Sequence, residues 1–323
     1  MCGPTVVNEE QKDLIAARNS RFQEVSTSPF GSDDQIGMLN LINPESMRAV
    51  LANVDPRKIY DMSTDLFTNM PSWTMTGDLS FQIWLSHTPQ GTVNDDITGL
   101  GKEKNEIVSY SGDSIALYTH TGTHVDTLNH YGYHNKIWNN FSADEHIGRV
   151  WDVCGADKHP PVIARGILLD IPATQNVDML PDSYGVGEQD LRNALQRQGT
   201  ELRVGDVVLV RTGRMTTWPN NDAYLYNSPG LNREGAEFLA KAGAITIGAD
   251  NVGLEQQPAP VGEIWPPVHS YLLAEAGVPM IEVLDLEELA RDRVYEFAYV
   301  GACLKLRGAT GAPVRPLAIP LAA

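Results

Sequence analysis

From residue 162 onward the chain alternates short apolar runs with amphipathic stretches, and this alternation restricts the fold more than any other feature. Val162-Ile-Ala-Arg-Gly-Ile-Leu-Leu-Asp170 and Gly205-Asp-Val-Val-Leu-Val-Arg211 have the near-continuous apolar character of strands buried on both faces. Between them, Gly187 to Arg197 places apolar residues at helical spacing. A second helix is predicted from Leu231 to Ala242, with Asn232 as N-cap and Gly243 just past its end. Ala244 to Asp250 then reads as a strand, Val268 to Ala276 as a helix and Val278 to Val283 as a strand. Strands and helices in strict alternation define an α/β fold.

The first half is less regular. Asn43 followed by Pro44 predicts an N-capped helix running to about Asn53. Lys58 to Met62 reads as a strand, and Leu79-Ser-Phe-Gln-Ile-Trp-Leu85 as a half-buried one. Val108 to Thr119 carries strand signals interrupted by a turn at Ser111-Gly112-Asp113. Residues 9–27 have weak helical periodicity, and the turn-rich stretch Ser28 to Gly37 reads as an ordered arm. With no internal repeat or linker, the simplest partition is an N-terminal arm and helix over 1–55, packed on one domain over 56–323.

Forty-one Asp and Glu against 24 Lys and Arg give a formal charge of −17. Nucleic acid and anionic membrane surfaces both require a basic footprint, so neither is an expected partner, and a small molecule is. Cys2, Cys154 and Cys303 share no metal-like or disulfide-like spacing, which suits a reducing compartment. The start of the chain lacks the basic and apolar regions of a signal peptide, and no run reaches the roughly 20 apolar residues of a membrane span. A cytoplasmic protein is expected.

Four of the eight histidines, His120, His124, His130 and His134, fall within fifteen residues, beside Asp126. In an extended segment side chains alternate, so His120, His124 and Asp126 share one face. Gly122 then lies between the histidines and leaves room for an ion. A helix aligns the two histidines but swings Asp126 away. Imidazole and carboxylate without thiolate suit Zn²⁺ or Mn²⁺, and three protein ligands leave positions open for water. His134, in a polar stretch, reads as an exposed loop residue, and His87, His146 and His159 as structural.

The pattern His120-x-Gly-Thr-His124-x-Asp126-x-x-x-His130 resembles the signature of the cyclase family, which includes bacterial kynurenine formamidase, isatin hydrolase and trans-dienelactone hydrolase. The resemblance extends to Asp33-Asp-Gln-Ile-Gly-Met-Leu-Asn-Leu-Ile-Asn43, Gly205 to Gly213, Ile247-Gly-Ala-Asp-Asn251, His269-Ser-Tyr-Leu-Leu273 and Met280-Ile-Glu282, so it spans residues 30 to 300. It implies a single mixed-sheet α/β domain of the swivelling β/β/α type. It also implies a divalent ion on His120, His124 and Asp126, with His269 and Glu282 completing a site for one or two ions. His130 becomes the general acid/base, and Trp73 the first candidate to face substrate, with Phe81 and Trp84 as packing residues. Thr127-Leu-Asn129 stands where the formamidases carry a proline, and the longer chain resembles the lactone- and imide-type members more closely.

The implied activity is hydrolysis of a small cyclic amide, imide or lactone, or of an N-acyl amide, by metal-activated water, in a homo-oligomer of two or more chains. The alternatives are a metal-dependent lyase or cyclase acting on a small carbonyl compound, and a non-catalytic metal-binding protein. No Gly-x-Ser-x-Gly elbow supports a serine hydrolase.

Overall fold

The computed structural model describes residues 23–74, 76–263 and 266–322. Cys2 and most of the weak helical pattern over 9–27 lie outside them. Thirteen strands are described: β1 (Tyr60–Asp61), β2 (Gln82–His87), β3 (Gly112–Ala116), β4 (His124–Asp126), β5 (Val162–Asp170), β6 (Gly185–Val186), β7 (Val207–Arg211), β8 (Gly230–Leu231), β9 (Thr246–Ala249), β10 (Met280–Glu282), β11 (Glu296–Gly301), β12 (Gly311–Pro313) and β13 (Leu317–Pro320). Nine form one sheet in the order β1-β13-β11-β5-β7-β9-β10-β4-β12. Its centre, β5-β7-β9-β10, is parallel, and the strands outside it pair antiparallel. The fold is therefore mixed α/β.

The apolar runs account for the centre. Every residue of β7 and β9 is buried, and β5 is buried at all but Ile163, as expected of strands covered on both faces. The helix Glu188–Gln198 packs on β5 and on the helix Arg233–Lys241, which packs in turn on the helical turn Ser270–Ala276. Asn232 accepts from the Gly235 N–H, and Asn43 from the N–H groups of Glu45 and Ser46 at the start of Pro44–Leu51, so both N-caps form as the sequence predicts.

The arm is ordered by polar contacts. Asn139 Nδ2 donates to the carbonyls of Gly31, Ser32 and Asp34, while the Asp34 carboxylate accepts from Ser28 Oγ and Trp138 Nε1. The Ser26 N–H donates to Ala274 O and the Met38 N–H to Gly277 O, tying the arm to the turn that carries His269.

Three local expectations need correction. Residues 120–126 are not one extended strand. Gly122 has φ +63°, in the left-handed region that glycine alone enters freely, and the strand begins only at His124. The space at Gly122 faces Leu66 and Met70 rather than an ion. Ser111 to Asp113 is not a turn, because Gly112 and Asp113 already pair with His87 and Leu85 in the β2–β3 ribbon. Trp84 is not a packing residue of the core: it is half-exposed, whereas Phe81 is buried. Finally, Ser270–Ala276 is wound as a π-helix, a wider form that concentrates at functional sites.

Candidate metal centre

β4 supplies His124 and Asp126 two residues apart on one strand, hence on one face. β10 pairs antiparallel with it in a register that sets Glu282 opposite His124 and Met280 opposite Asp126. Directly opposed residues bring their side chains together, so this pairing closes a separation of more than 150 residues in the sequence. His120 arrives from the turn before β4. His269 comes from the short helix Pro267–His269 that opens into the π-helix. There Arg233 grips the buried Glu275 with two hydrogen bonds, 2.8 and 3.1 Å, and Tyr133 adds a third.

The donor atoms converge around Asp126. His124 Nε2 lies 3.3 Å from Asp126 Oδ1 and 3.7 Å from Glu282 Oε2. Both His130 Nε2 and His269 Nε2 lie 3.7 Å from Asp126 Oδ2, and His269 Nε2 is 3.0 Å from Glu282 Oε1. Among the described residues two groups are compact enough to hold an ion: His124, Asp126 and Glu282, all buried, and His120, Asp126 and His130. This grouping differs from the sequence expectation, which put His120 with His124 and kept His130 apart. His120 engages both ring nitrogens, Nδ1 with Asp126 Oδ1 at 2.6 Å and Nε2 with Thr310 Oγ1 at 2.9 Å. Asp126 belongs to both groups.

Two atoms show that the cluster suits a cation. The Nδ1–H of His124 donates to Gly122 O, which turns Nε2 towards the carboxylates, and among the described residues neither Nε2 nor Asp126 Oδ2, both buried, has a hydrogen-bond partner. Two carboxylates facing that nitrogen call for positive charge among them, a proton on Nε2 or a cation in its place. Burial opposes a charge on His124 and on His269, yet the carboxylates outweigh it and raise both imidazoles above their ordinary range, His269 strongly through Glu255. Asp126 behaves in the complementary way: burial raises it, but His120 and His130 outweigh burial and hold it well below the usual carboxylate range. The donor set, imidazole and carboxylate with no thiolate, fits a borderline or hard divalent ion.

His130 is the exception. Burial and the imidazoles around it hold it well below the ordinary histidine range despite Asp126, so it is neutral at pH 7. Its ring stacks on His120 at 4.0 Å between centroids.

Sequence reasoning missed Glu255. Its carboxylate accepts from His269 Nδ1 and from the backbone N–H groups of Val268 and His269, so Nε2 is the nitrogen His269 presents to Glu282 and Asp126. The Gly253 N–H donates to Glu282 Oε2 at 2.8 Å. Carboxylates that fix the outer nitrogen of a metal-facing histidine are a recurrent part of metal sites. An acid beside the apolar Leu254 was the available signal, since a buried carboxylate needs a partner, but only the fold reveals which.

The cluster floors a cleft of about 710 Å³, its mouth included, whose walls include Trp73, Tyr118, Tyr131, Val252 and Pro266. Trp73 thus stands in the wall, against Met215, Tyr224, Val252 and Val283. Burial first, and then nearby carboxylates, Asp78 and Asp126 at Tyr118 and Asp126 and Glu282 at Tyr131, raise both far above the ordinary phenol range, so both remain hydrogen-bond donors. His134 is exposed.

The family model described as "Putative cyclase" matches residues 60–256, and the chain belongs to that cyclase family. Among solved structures, one described as a novel cyclase is 25% identical with a TM-score of 0.80, over 92% of this chain and 99% of its own. Isatin hydrolase A from Ralstonia solanacearum aligns at 19% identity and TM-score 0.61 over 81% of this chain and 92% of that one. An isatin hydrolase bound to the product analogue thioisatinate aligns at 19% and 0.60 over 86% and 100%. No curated protein matches. No helix among the described residues is long and apolar enough to cross a membrane.

Proposed function

We propose that this protein is a metal-dependent hydrolase that opens a small cyclic amide, imide or lactone, with His120, His124, Asp126, His269 and Glu282 holding one or two divalent ions and His130 moving the proton. The observation that carries the reading is the pair of partnerless buried atoms, His124 Nε2 and Asp126 Oδ2, directly below an aromatic-walled cleft. Similarity to isatin hydrolases, which act on a cyclic amide, supports the substrate class.

A divalent ion such as Zn²⁺ or Mn²⁺ supplies two things here when bound: a water of lowered pKa and a polarised carbonyl. Everything else comes from the chain. The neutral His130 takes the proton released as water adds to the carbonyl carbon, and returns it to the departing ring nitrogen or oxygen. Help of this kind is worth about 10²- to 10⁴-fold in rate. Trp73, Tyr118 and Tyr131 offer flat surfaces to a planar ring, and the two phenols offer hydrogen bonds to carbonyl oxygens.

The test is a screen of cyclic imides, lactams, lactones and N-formyl amides against metal-loaded protein, read by mass spectrometry. Products heavier by one water, with activity abolished by chelator and restored by metal, support the proposal. Conversion without a gain of water makes the enzyme a lyase or cyclase, and full activity in chelator overturns the metal's role.

A further inference from the structure

Glu275 lies in the π-helix Ser270–Ala276, past His269 in the chain, and is 1% exposed. It belongs neither to the cleft lining nor to the ion-sized groups. Its carboxylate nevertheless accepts four hydrogen bonds from three other segments. Oε1 accepts from Tyr133 Oη at 2.8 Å, from Arg233 Nη1 at 3.1 Å and from the Gln23 N–H at 3.2 Å, and Oε2 accepts from Arg233 Nη2 at 2.8 Å. The Arg233 guanidinium also lies over the ring of Tyr271 in the same π-helix, 4.3 Å from its centroid.

Stability alone does not call for a carboxylate here. Taking an ion pair out of water is costly, and apolar side chains of similar volume often hold a core as well or better. What the carboxylate adds is direction, because each donor must meet it at a set distance and angle. Its donors come from the segments that frame the site. Tyr133 follows His130 in the chain, and between them Tyr131 packs edge-on against His130 and His269, at 4.5 and 5.1 Å between ring centroids. Contacts therefore run in a closed circuit from His269 along the π-helix to Glu275, across to Tyr133, and back through Tyr131 to His130.

We infer that Glu275 is a positioning residue of the metal centre: through Tyr133 it sets the separation of His130 and His269 on either side of Asp126, and it ties the N-terminal arm to both. The two imidazoles stand 6.2 Å apart, each with Nε2 3.7 Å from Asp126 Oδ2, so a shift of either segment changes the cavity an ion would fill. The arm bonds to both sides of the circuit. Its Ser26 and Met38 N–H groups donate to Ala274 O and Gly277 O, and Ser26 O accepts from the Asn139 N–H. Linkage is reciprocal: if these contacts help His269 hold an ion, a bound ion must hold the arm more firmly. The inference rests on the metal reading of the cluster.

Titration of Zn²⁺ into the chelator-stripped full chain tests it, with wild type beside Tyr133→Phe, which removes one hydroxyl and leaves the Arg233–Glu275 pair in place. Tyr60→Phe is the control, since Tyr60 Oη donates to Asp292 at 2.9 Å on β1, at the opposite end of the sheet from β4. The expected result is zinc affinity lowered roughly 2- to 30-fold in Tyr133→Phe and unchanged in Tyr60→Phe, whatever each does to the unfolding temperature of the stripped protein. Folded Glu275→Gln is expected to lose at least as much. Hydrogen exchange of wild type gives a second reading that needs no variant: zinc slows the amides of Ser26 and Met38 by more than those of β7. A Tyr133→Phe or folded Glu275→Gln protein that binds zinc like wild type, an equal loss in Tyr60→Phe, or arm amides indifferent to zinc overturns this inference alone. A wild-type chain that takes up no zinc overturns the metal reading and the inference with it.

Discussion

Replacing Glu255 with glutamine tests how the second half of the metal centre is held. The Glu255 carboxylate receives three donors, His269 Nδ1–H and the N–H groups of Val268 and His269, in a residue only 2% exposed. Glutamine keeps the shape but has one acceptor oxygen and a donor in place of the other. If the oxygen meets His269, the amide NH₂ faces two backbone N–H groups. If it turns to the backbone, His269 must receive a proton from the amide at Nδ1 and carry its own on Nε2, the nitrogen aimed at Glu282 and Asp126. Either arrangement weakens the imidazole as a ligand. Loss of such an outer carboxylate lowers metal affinity about 10- to 100-fold, equivalent to about 1.4–2.8 kcal/mol. Isothermal titration of metal into chelator-stripped protein measures this, with thermal unfolding of the stripped forms as a control for folding. Glu255→Asp keeps the charge and should recover part of the affinity. A glutamine variant that binds metal within twofold of wild type would refute the role given to Glu255.

Three further outcomes are expected. His130→Ala should lower turnover by about 10²- to 10⁴-fold with metal content unchanged by elemental analysis; joint loss of metal would make His130 a ligand in the group with His120 and Asp126. Gly122→Ala should cost about 1–3 kcal/mol in denaturant unfolding, because φ is +63° and a Cβ there would meet Leu66 Cδ2 at 2.4 Å; an unchanged midpoint contradicts the strained turn. His159 is pulled down to about 4 by burial, its Nε2 enclosed without a partner. The unfolded chain binds that proton below about pH 6.5 and the folded chain does not. Stability present above pH 6.5 should therefore fall by up to about 3 kcal/mol as the pH drops to 4, and His159→Leu should flatten that part of the profile of unfolding free energy against pH.

How much of this was legible before folding depends on whether the signal was local. Buried strands such as Val162–Asp170 and caps such as Asn43 and Asn232 declare themselves within a few residues, and each lies where its chemistry predicts. His124 and Asp126 share a face because two residues of strand require it. The path of His120 is not legible in the sequence, since nothing in the pattern separates an extended glycine from the left-handed one found at Gly122. Glu255, Tyr118 and Tyr131 were missed because their roles exist only through contacts: Glu255 reaches His269 fourteen residues on, and the tyrosines matter because the cleft forms between them. Trp84 reads as packing in the sequence because an apolar strand residue looks the same whether or not its own chain covers it, and here it stays half-exposed.

The account rests on Asp126, the residue common to both ion-sized groups. Elemental analysis of the purified full chain after dialysis, set beside folded Asp126→Asn, tests it most directly. One or two divalent ions per wild-type chain, and almost none in the variant, is the predicted result. A wild-type chain that retains no ion even after incubation with Zn²⁺ or Mn²⁺, or a variant that retains as much as wild type, would contradict it.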